Sequence, residues 1–387
     1  MGEWIGRGRK ARRAYGFDEI AIVPGEVTIN PDEVDISWEL AGRRFELPIL
    51  AAAMDGVVSP HFAVAMGRLG GLAILNLEGV WSRYDDPEAV LEDIARSSPD
   101  ESTPKVQKLY QPKIKKERIS RWVEFIKKAG VPPIVSSTPQ RAADLGPVAI
   151  EAGAEIFVVQ STVSTVRHLS TAYKALDLAR FCRETPVPVI VGNTVTEKAT
   201  LEIMEAGAAA VLVGIGPGAA CTTRGVLGLG VPQVTATVDC AWARDFYYRK
   251  TGRYVPIITD GGMSVGGDIC KAFAAGADAV VVGSAFARAQ EAPGRGYHWG
   301  MATSHENLPR GTRIRVGTSG TLQQILFGPA DLDDGSQNLA GALRLCMGSI
   351  GARTIKDMHL CELVIAPAIK TEGKLFQKMQ HVGMAKG

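Results

Sequence analysis

The chain has 387 residues, 46% of them hydrophobic, with a formal net charge of +2. That length fits two domains or one α/β barrel with insertions, and that charge gives no field to hold nucleic acid or an anionic membrane. No apolar run reaches the roughly 18 residues of a membrane-spanning helix, and neither a secretory nor a myristoylation signal opens the chain, so a cytoplasmic protein is expected.

The first forty-five residues open with a basic cluster, Arg7, Arg9, Lys10, Arg12 and Arg13, read as a solvated arm with a subunit contact as the alternative. From Pro48 a rhythm of short apolar runs begins: 48–53, 72–75, 133–135, 156–159, 188–191, 210–213, 256–259 and 279–282. Such nearly continuous apolar runs belong to a parallel sheet buried on both faces. Amphipathic stretches such as 196–206 and 265–275 separate most of them, and Ala-Gly-Ala closes three, at Gly153, Gly207 and Gly276. Eight strand–loop–helix–glycine units favour a closed barrel over an open sheet. The expectation is an α/β fold, a single (β/α)8 TIM barrel over residues 46–365, preceded by the arm at 1–45 and followed by a tail at 366–387. Two stretches break the rhythm. Residues 79–132 read as a long polar loop rich in Lys and Pro, and residues 286–330, after strand eight, as a lid.

Six cysteines at 182, 221, 240, 270, 346 and 361 show no C-x-x-C or zinc spacing, so reduced thiols are expected. Only Cys221 has a telling context. It ends a loop after strand six, Gly214-Ile215-Gly216-Pro217-Gly218-Ala219-Ala220-Cys221, whose alternating glycines let the backbone turn sharply and approach a ligand. At the mouth of a barrel a thiolate there is placed to attack an electrophilic carbon, although the same spacing also suits a merely tight turn. After strand seven comes Asp260-Gly261-Gly262, and after strand eight Gly283-Ser284. Glycines at those two ends are where many barrels hold a phosphate, and Asp260 can accept two ribose hydroxyls; alone, it could equally be a helix cap.

Ala53-Met54-Asp55, Gly192-Asn193-Thr194-Val195-Thr196, Gly216 to Thr223, Asp260-Gly261-Gly262, Gly283-Ser284, Glu291-Ala292-Pro293-Gly294 and Tyr297 followed by Gly300-Met301 occur in order along the chain. In that order and spacing they resemble the IMP dehydrogenase/GMP reductase family over nearly the whole barrel. The resemblance implies that Cys221 adds to C2 of a purine nucleotide, IMP or GMP, with Thr223 assisting activation of water or ammonia. It implies that Asp260 holds the ribose, and that Gly262, Gly283, Ser284 and Tyr297 hold the phosphate beside Gly218 and Ala219. Met54 would pack on the base, and Gly300 and Met301 would present backbone to the purine edge. NAD would lie against Gln160, Ser161, Thr162, Asn193 and Gly214. A potassium ion (K+) would take carbonyls of Gly216, Gly218 and Cys221, completed by Glu372-Gly373 of a neighbouring subunit, which implies a homotetramer or larger assembly.

The departures from the family pattern are specific. Residues 79–132 are too short for the regulatory CBS pair that the large dehydrogenases insert there. Ala219 and Ala52 stand where serines are usual, and Gln160-Ser161-Thr162 replaces a segment with an Asp that contacts the cofactor ribose. Val316 lies near the position of a Gln that faces the base. The lid reads Leu308-Pro309-Arg310-Gly311-Thr312-Arg313, so Arg310 or Arg313 would be the water-activating arginine, without the usual Tyr partner. The leading expectation is NAD-dependent oxidation of IMP to XMP. NADPH-dependent deamination of GMP is the rival, because Cys221-Thr222-Thr223-Arg224 reads closer to the reductase loop. A catalytically silent nucleotide-binding barrel is the third, and it has no need of Cys221.

Overall fold

The computed structural model describes residues 2–300, 311–366 and 373–383. Eight parallel strands close into a barrel: β1 (Ile49–Ala51), β2 (Leu72–Asn76), β3 (Ile134–Ser137), β4 (Ile156–Gln160), β5 (Val189–Thr194), β6 (Ala210–Val213), β7 (Ile257–Asp260) and β8 (Ala279–Val282). Each pairs with its neighbour in sequence, and β8 returns to β1 through Val280↔Ile49 and Val282↔Ala51. All eight coincide with the apolar runs.

Alternate residues explain why those runs are continuous. Leu50, Leu72, Ile74, Ile134, Val158, Ile190, Leu212, Ile258 and Val281 point inward and fill the barrel. Ile49, Val135, Phe157, Val191, Val211, Ile257 and Val280 point outward against the helices. Both faces are dry, and each fully buried aliphatic side chain contributes roughly 1.5–3 kcal/mol. A hairpin, Trp38–Leu40 with Arg43–Phe45, adds Trp38, Leu40 and Phe45 to the interior cluster just before β1. The barrel is therefore a packed core rather than a pore.

The repeated glycine unit has one geometry. Gly153, Gly207 and Gly276 have φ of 106°, 102° and 106°. In each case the next amide returns to a carbonyl five residues back: Ala154 to Ala149, Ala208 to Ile203 and Ala277 to Ala272. That is a Schellman closure, which suits glycine because L side chains avoid positive φ. The helix Glu197–Glu205 is capped at its other end by Thr196, whose hydroxyl accepts the Ala199 amide.

Three expectations change. The stretch 79–132 is helical over Pro87–Arg96, Pro99–Leu109 and Lys116–Lys128. Its apolar residues, among them Leu91, Ile94, Val106, Ile119, Val123 and Ile126, form buried stripes that the lysines between them obscured in sequence. Among its described residues, the stretch 286–330 carries a strand pair, Tyr297–His298 with Ile314–Arg315, and a helix at Leu322–Phe327. The arm is exposed throughout residues 2–13, but from Phe17 it contributes Phe17, Ile20, Val34 and Ile36 to the core, and Ile20–Ile22 pairs with Leu363–Ile365.

Candidate active site

Loops at the C-terminal ends of the strands enclose one cavity of about 770 Å³. Met54, Gln160, Ser161, Thr162, Asn193, Gly214, Gly216, Gly218, Ala219, Cys221, Thr223, Asp260, Gly262, Gly283, Ser284 and Gly300 border it. Residues from five separate loops thus meet in one place because the barrel puts every strand end on one rim.

Cys221 is the one exposed cysteine of the six. Burial pushes the thiols of Cys182 and Cys361 up to about 11 and that of Cys240 up to about 12, which holds them protonated. The Cys221 thiol donates to Thr223 Oγ1 at 3.2 Å. The loop is held in a tight turn by the Cys221 amide on the Gly218 carbonyl, 2.9 Å. Gly214, at φ 146°, admits no side chain, because a Cβ would lie 2.3 Å from the Asp260 carbonyl oxygen.

Asp260 ends β7 between two amides. Asn193 Nδ2 donates to its Oδ2 at 2.8 Å and Gln160 Nε2 to the same oxygen at 3.0 Å. Burial pushes its carboxyl up to about 6, against the lowering effect of Asn193 and then Gln160. These bonds give Gln160 and Asn193 a place beside the carboxylate. Gln160 Oε1 is buried without a partner, an acceptor left over for a ligand.

At the far end Gly261 and Gly262 both adopt positive φ, 83° and 82°, a conformation that suits glycine, with Pro217 against them. The Met54 thioether methyl covers Gly283, where a Cβ would lie 2.3 Å from it. Ser284 Oγ is 3.0 Å from Nε2 of His298, which is buried and borders the cavity. Sequence reasoning singled out Tyr297 and missed His298. On a paired strand adjacent side chains point to opposite faces, so the Tyr297 ring lies 4.4 Å under the Arg313 guanidinium, away from the lining. Glu78, Thr138, Gln140 and Arg141 also border the cavity without having been singled out, since the loops after β2 and β3 carry no glycine pattern. The Glu78 carboxylate accepts the Thr138 amide at 2.6 Å.

Arg313 is placed elsewhere than expected. Its Nη1 donates to the carbonyls of Ile94 and Ala95 at 2.6 and 2.8 Å, at the C-terminus of helix Pro87–Arg96, where a cation is favoured. It is not among the residues around Cys221, and neither is Gly373. Met301, Arg310 and Glu372 lie outside the described residues. Among the described residues no group of His, Cys, Asp and Glu is arranged to hold a metal ion, so any cation at the Cys221 loop would rest on carbonyl oxygens. No helix among them is long and apolar enough to cross a membrane.

Residues 14–368 match the sequence profile of the IMP dehydrogenase / GMP reductase domain. The chain belongs to the IMP dehydrogenase/GMP reductase family. Its relatives include an uncharacterized oxidoreductase of Mycobacterium tuberculosis, 39% identical over 93% of this chain and 99% of the relative. An inosine-5'-monophosphate dehydrogenase of Methanocaldococcus jannaschii is 27% identical over 90% of this chain and 92% of its own. Among solved structures, an IMP dehydrogenase/GMP reductase-like protein from Corynebacterium glutamicum is 34% identical, covers 93% of this chain and 96% of its own, and superposes with a TM-score of 0.89. The family's barrel and an oxidoreductase activity thus extend to this chain.

Proposed function

We propose that this oxidoreductase is an IMP dehydrogenase, oxidising IMP to XMP with NAD. The observation that carries the reading is the convergence on one cavity of an exposed Cys221 bonded to Thr223, the Asp260 carboxyl between Asn193 and Gln160, and Ser284. Cys221 as thiolate adds to C2 of the purine, and hydride leaves C2 for the bound dinucleotide. Water then attacks C2, the carbon–sulfur bond breaks, and XMP leaves with Cys221 restored. Asp260 holds the ribose, Thr223 orients the attacking water, and Met54 packs on the base. The dinucleotide supplies the hydride acceptor; Ser161, Thr162 and the spare Gln160 oxygen border the space it would take, and a cavity of about 770 Å³ has room for both ligands.

Potassium fits the loop chemically, because carbonyl oxygens are its preferred donors; those of Gly216, Gly218 and Cys221 would hold it, the Gly218 carbonyl also accepting the Cys221 amide. Assembly into a homotetramer or larger oligomer is part of the same reading. Val238, Trp242 and Phe246 form an exposed apolar stripe on helix Gln233–Thr251 that such assembly would cover. The GMP reductase alternative rests on the Cys221-Thr222-Thr223-Arg224 loop. Arg313 is committed to the Ile94 and Ala95 carbonyls, so the dehydrogenase reading gives water activation to Arg310. Paired assays read near 340 nm, with potassium present, separate the two. A rise with IMP and NAD is the expected result; a fall confined to GMP and NADPH would make the protein a reductase.

A further inference from the structure

His298 is a polar group that the chemistry above leaves unused. It is 2% exposed, yet its ring borders the cavity beside Gly283 and Ser284. Nε2 shares a hydrogen with Ser284 Oγ at 3.0 Å, and Nδ1 has no partner. Whichever nitrogen carries the proton, a buried ring atom stays unpaired, an arrangement that native structures keep mainly where a ligand or water completes it.

The charges around the ring are few. Arg141 is the one Lys or Arg among the described residues of the lining, and it lies on the loop after β3 with Thr138 and Gln140. The acids of the lining are Glu78, which accepts the Thr138 amide, and Asp260, held by Asn193 and Gln160. On the neighbouring residues Trp299 bonds to Tyr110, which bonds to Asp55, while Arg313 covers Tyr297. None of these is hydrogen-bonded to the imidazole. The backbone of Gly262 and Gly283 and the Ser284 hydroxyl can solvate an anion, but they bring no charge to balance it.

We infer that His298 is the residue by which this chain recognises a phosphomonoester dianion at Ser284, taking up a proton from solvent as the ligand binds. The inference rests on the proposed nucleotide substrate. Burial alone holds the empty site's imidazole neutral, down at about 4. A dianion within hydrogen-bonding distance works in the opposite direction and favours the imidazolium. Nε2–H then donates to one phosphate oxygen while the Ser284 hydroxyl turns to another, two charge-assisted bonds in place of one neutral bond. A nucleoside, lacking the phosphate, would bind without the proton.

Calorimetric titration of the full chain tests this, with IMP, inosine and inorganic phosphate each run in two buffers of different ionisation enthalpy near neutral pH. In the wild type, IMP binding should take up protons and inosine binding should not. His298→Gln keeps a donor but cannot become a cation. It should lose that uptake and bind IMP about 10-fold or more weakly, with inosine affinity unchanged. Equal proton uptake and equal IMP affinity in the two proteins would overturn the inference. If IMP fails to bind while inorganic phosphate binds with a His298-dependent uptake, the nucleotide reading fails and the role of His298 stands. A His298→Gln chain that loses inosine and IMP affinity equally would show a structural role only and would also overturn it.

Discussion

At the scale of single residues the site is defined by a thiol and a carboxyl, Cys221 and Asp260. The Cys221 thiol is open to the cavity, whereas burial locks Cys182, Cys240 and Cys361 as thiols. Cys221→Ala should therefore abolish turnover while leaving IMP binding within a few-fold of wild type. Wild-type-like turnover in that variant would remove the covalent route. Asp260, raised to about 6, must be ionised to accept two hydroxyls. Affinity for inosine, which carries no phosphate for His298 to meet, should fall as pH drops through about 6, and Asp260→Asn should bind inosine about 10–100-fold more weakly with no such dependence. Folding responds with the opposite sign. The folded state holds this proton more tightly than the unfolded chain, so burial of the charge weakens the fold above about pH 6, and the penalty fades as pH falls toward 4. Denaturant titrations of Asp260→Asn against wild type should show the variant gaining more at pH 7.5 than at pH 5.

At the scale of elements, the helices of 87–128 hold the base of the segment after β8. The Trp299 indole donates to Tyr110 Oη at 2.9 Å, Tyr110 donates to the Asp55 carboxylate, and that carboxylate also accepts the Val80 amide. Arg295 pairs with Glu92, and Arg313 caps the helix that contains it. The stretch therefore works as a buttress linking β1, β2 and the strand of His298. Tyr110→Phe would leave a buried indole without a partner and a buried carboxylate with the Val80 amide alone, a loss of about 2–3 kcal/mol by urea denaturation at neutral pH. Burial already raises Asp55 to about 6 and the Tyr110 hydroxyl opposes that rise. The deficit should accordingly shrink near pH 5, where a protonated Asp55 has less need of a donor. A loss that does not change with pH would show that Tyr110 acts by packing alone.

At the scale of the whole molecule, the barrel buries both faces of every strand, yet an apolar surface remains beside the Cys221 loop. Val226, Leu227 and Leu229 follow the loop, and Val238, Trp242 and Phe246 lie at four-residue spacing on the next helix. The Trp242 and Phe246 rings stack at 5.4 Å in the open. If subunits meet there, Trp242→Glu with Phe246→Glu should yield a smaller species by light scattering and retain the barrel's circular dichroism. An unchanged mass would place the assembly contact on another face.

The sequence by itself determined the eight strands and the glycine-rich loops that border the cavity. Strand runs such as Ala279–Val282 are apolar at every position because two dry faces demand it, and Gly214 and Gly216 before Cys221 mark a positive-φ backbone that side chains avoid. Periodicity and glycine placement are local, so they survive in one dimension. The state and orientation of the site's side chains were decided only in three dimensions. Whether Tyr297 or His298 faces the cavity depends on pairing with Ile314–Arg315, and whether Arg313 reaches the cavity depends on where helix Pro87–Arg96 ends. The same holds for the carboxyl of Asp260, whose charge is set by burial and by amides from β4 and β5, residues 100 and 67 positions away in the chain. Contacts at that separation leave no periodic trace in sequence, because the barrel alone brings its strand ends together.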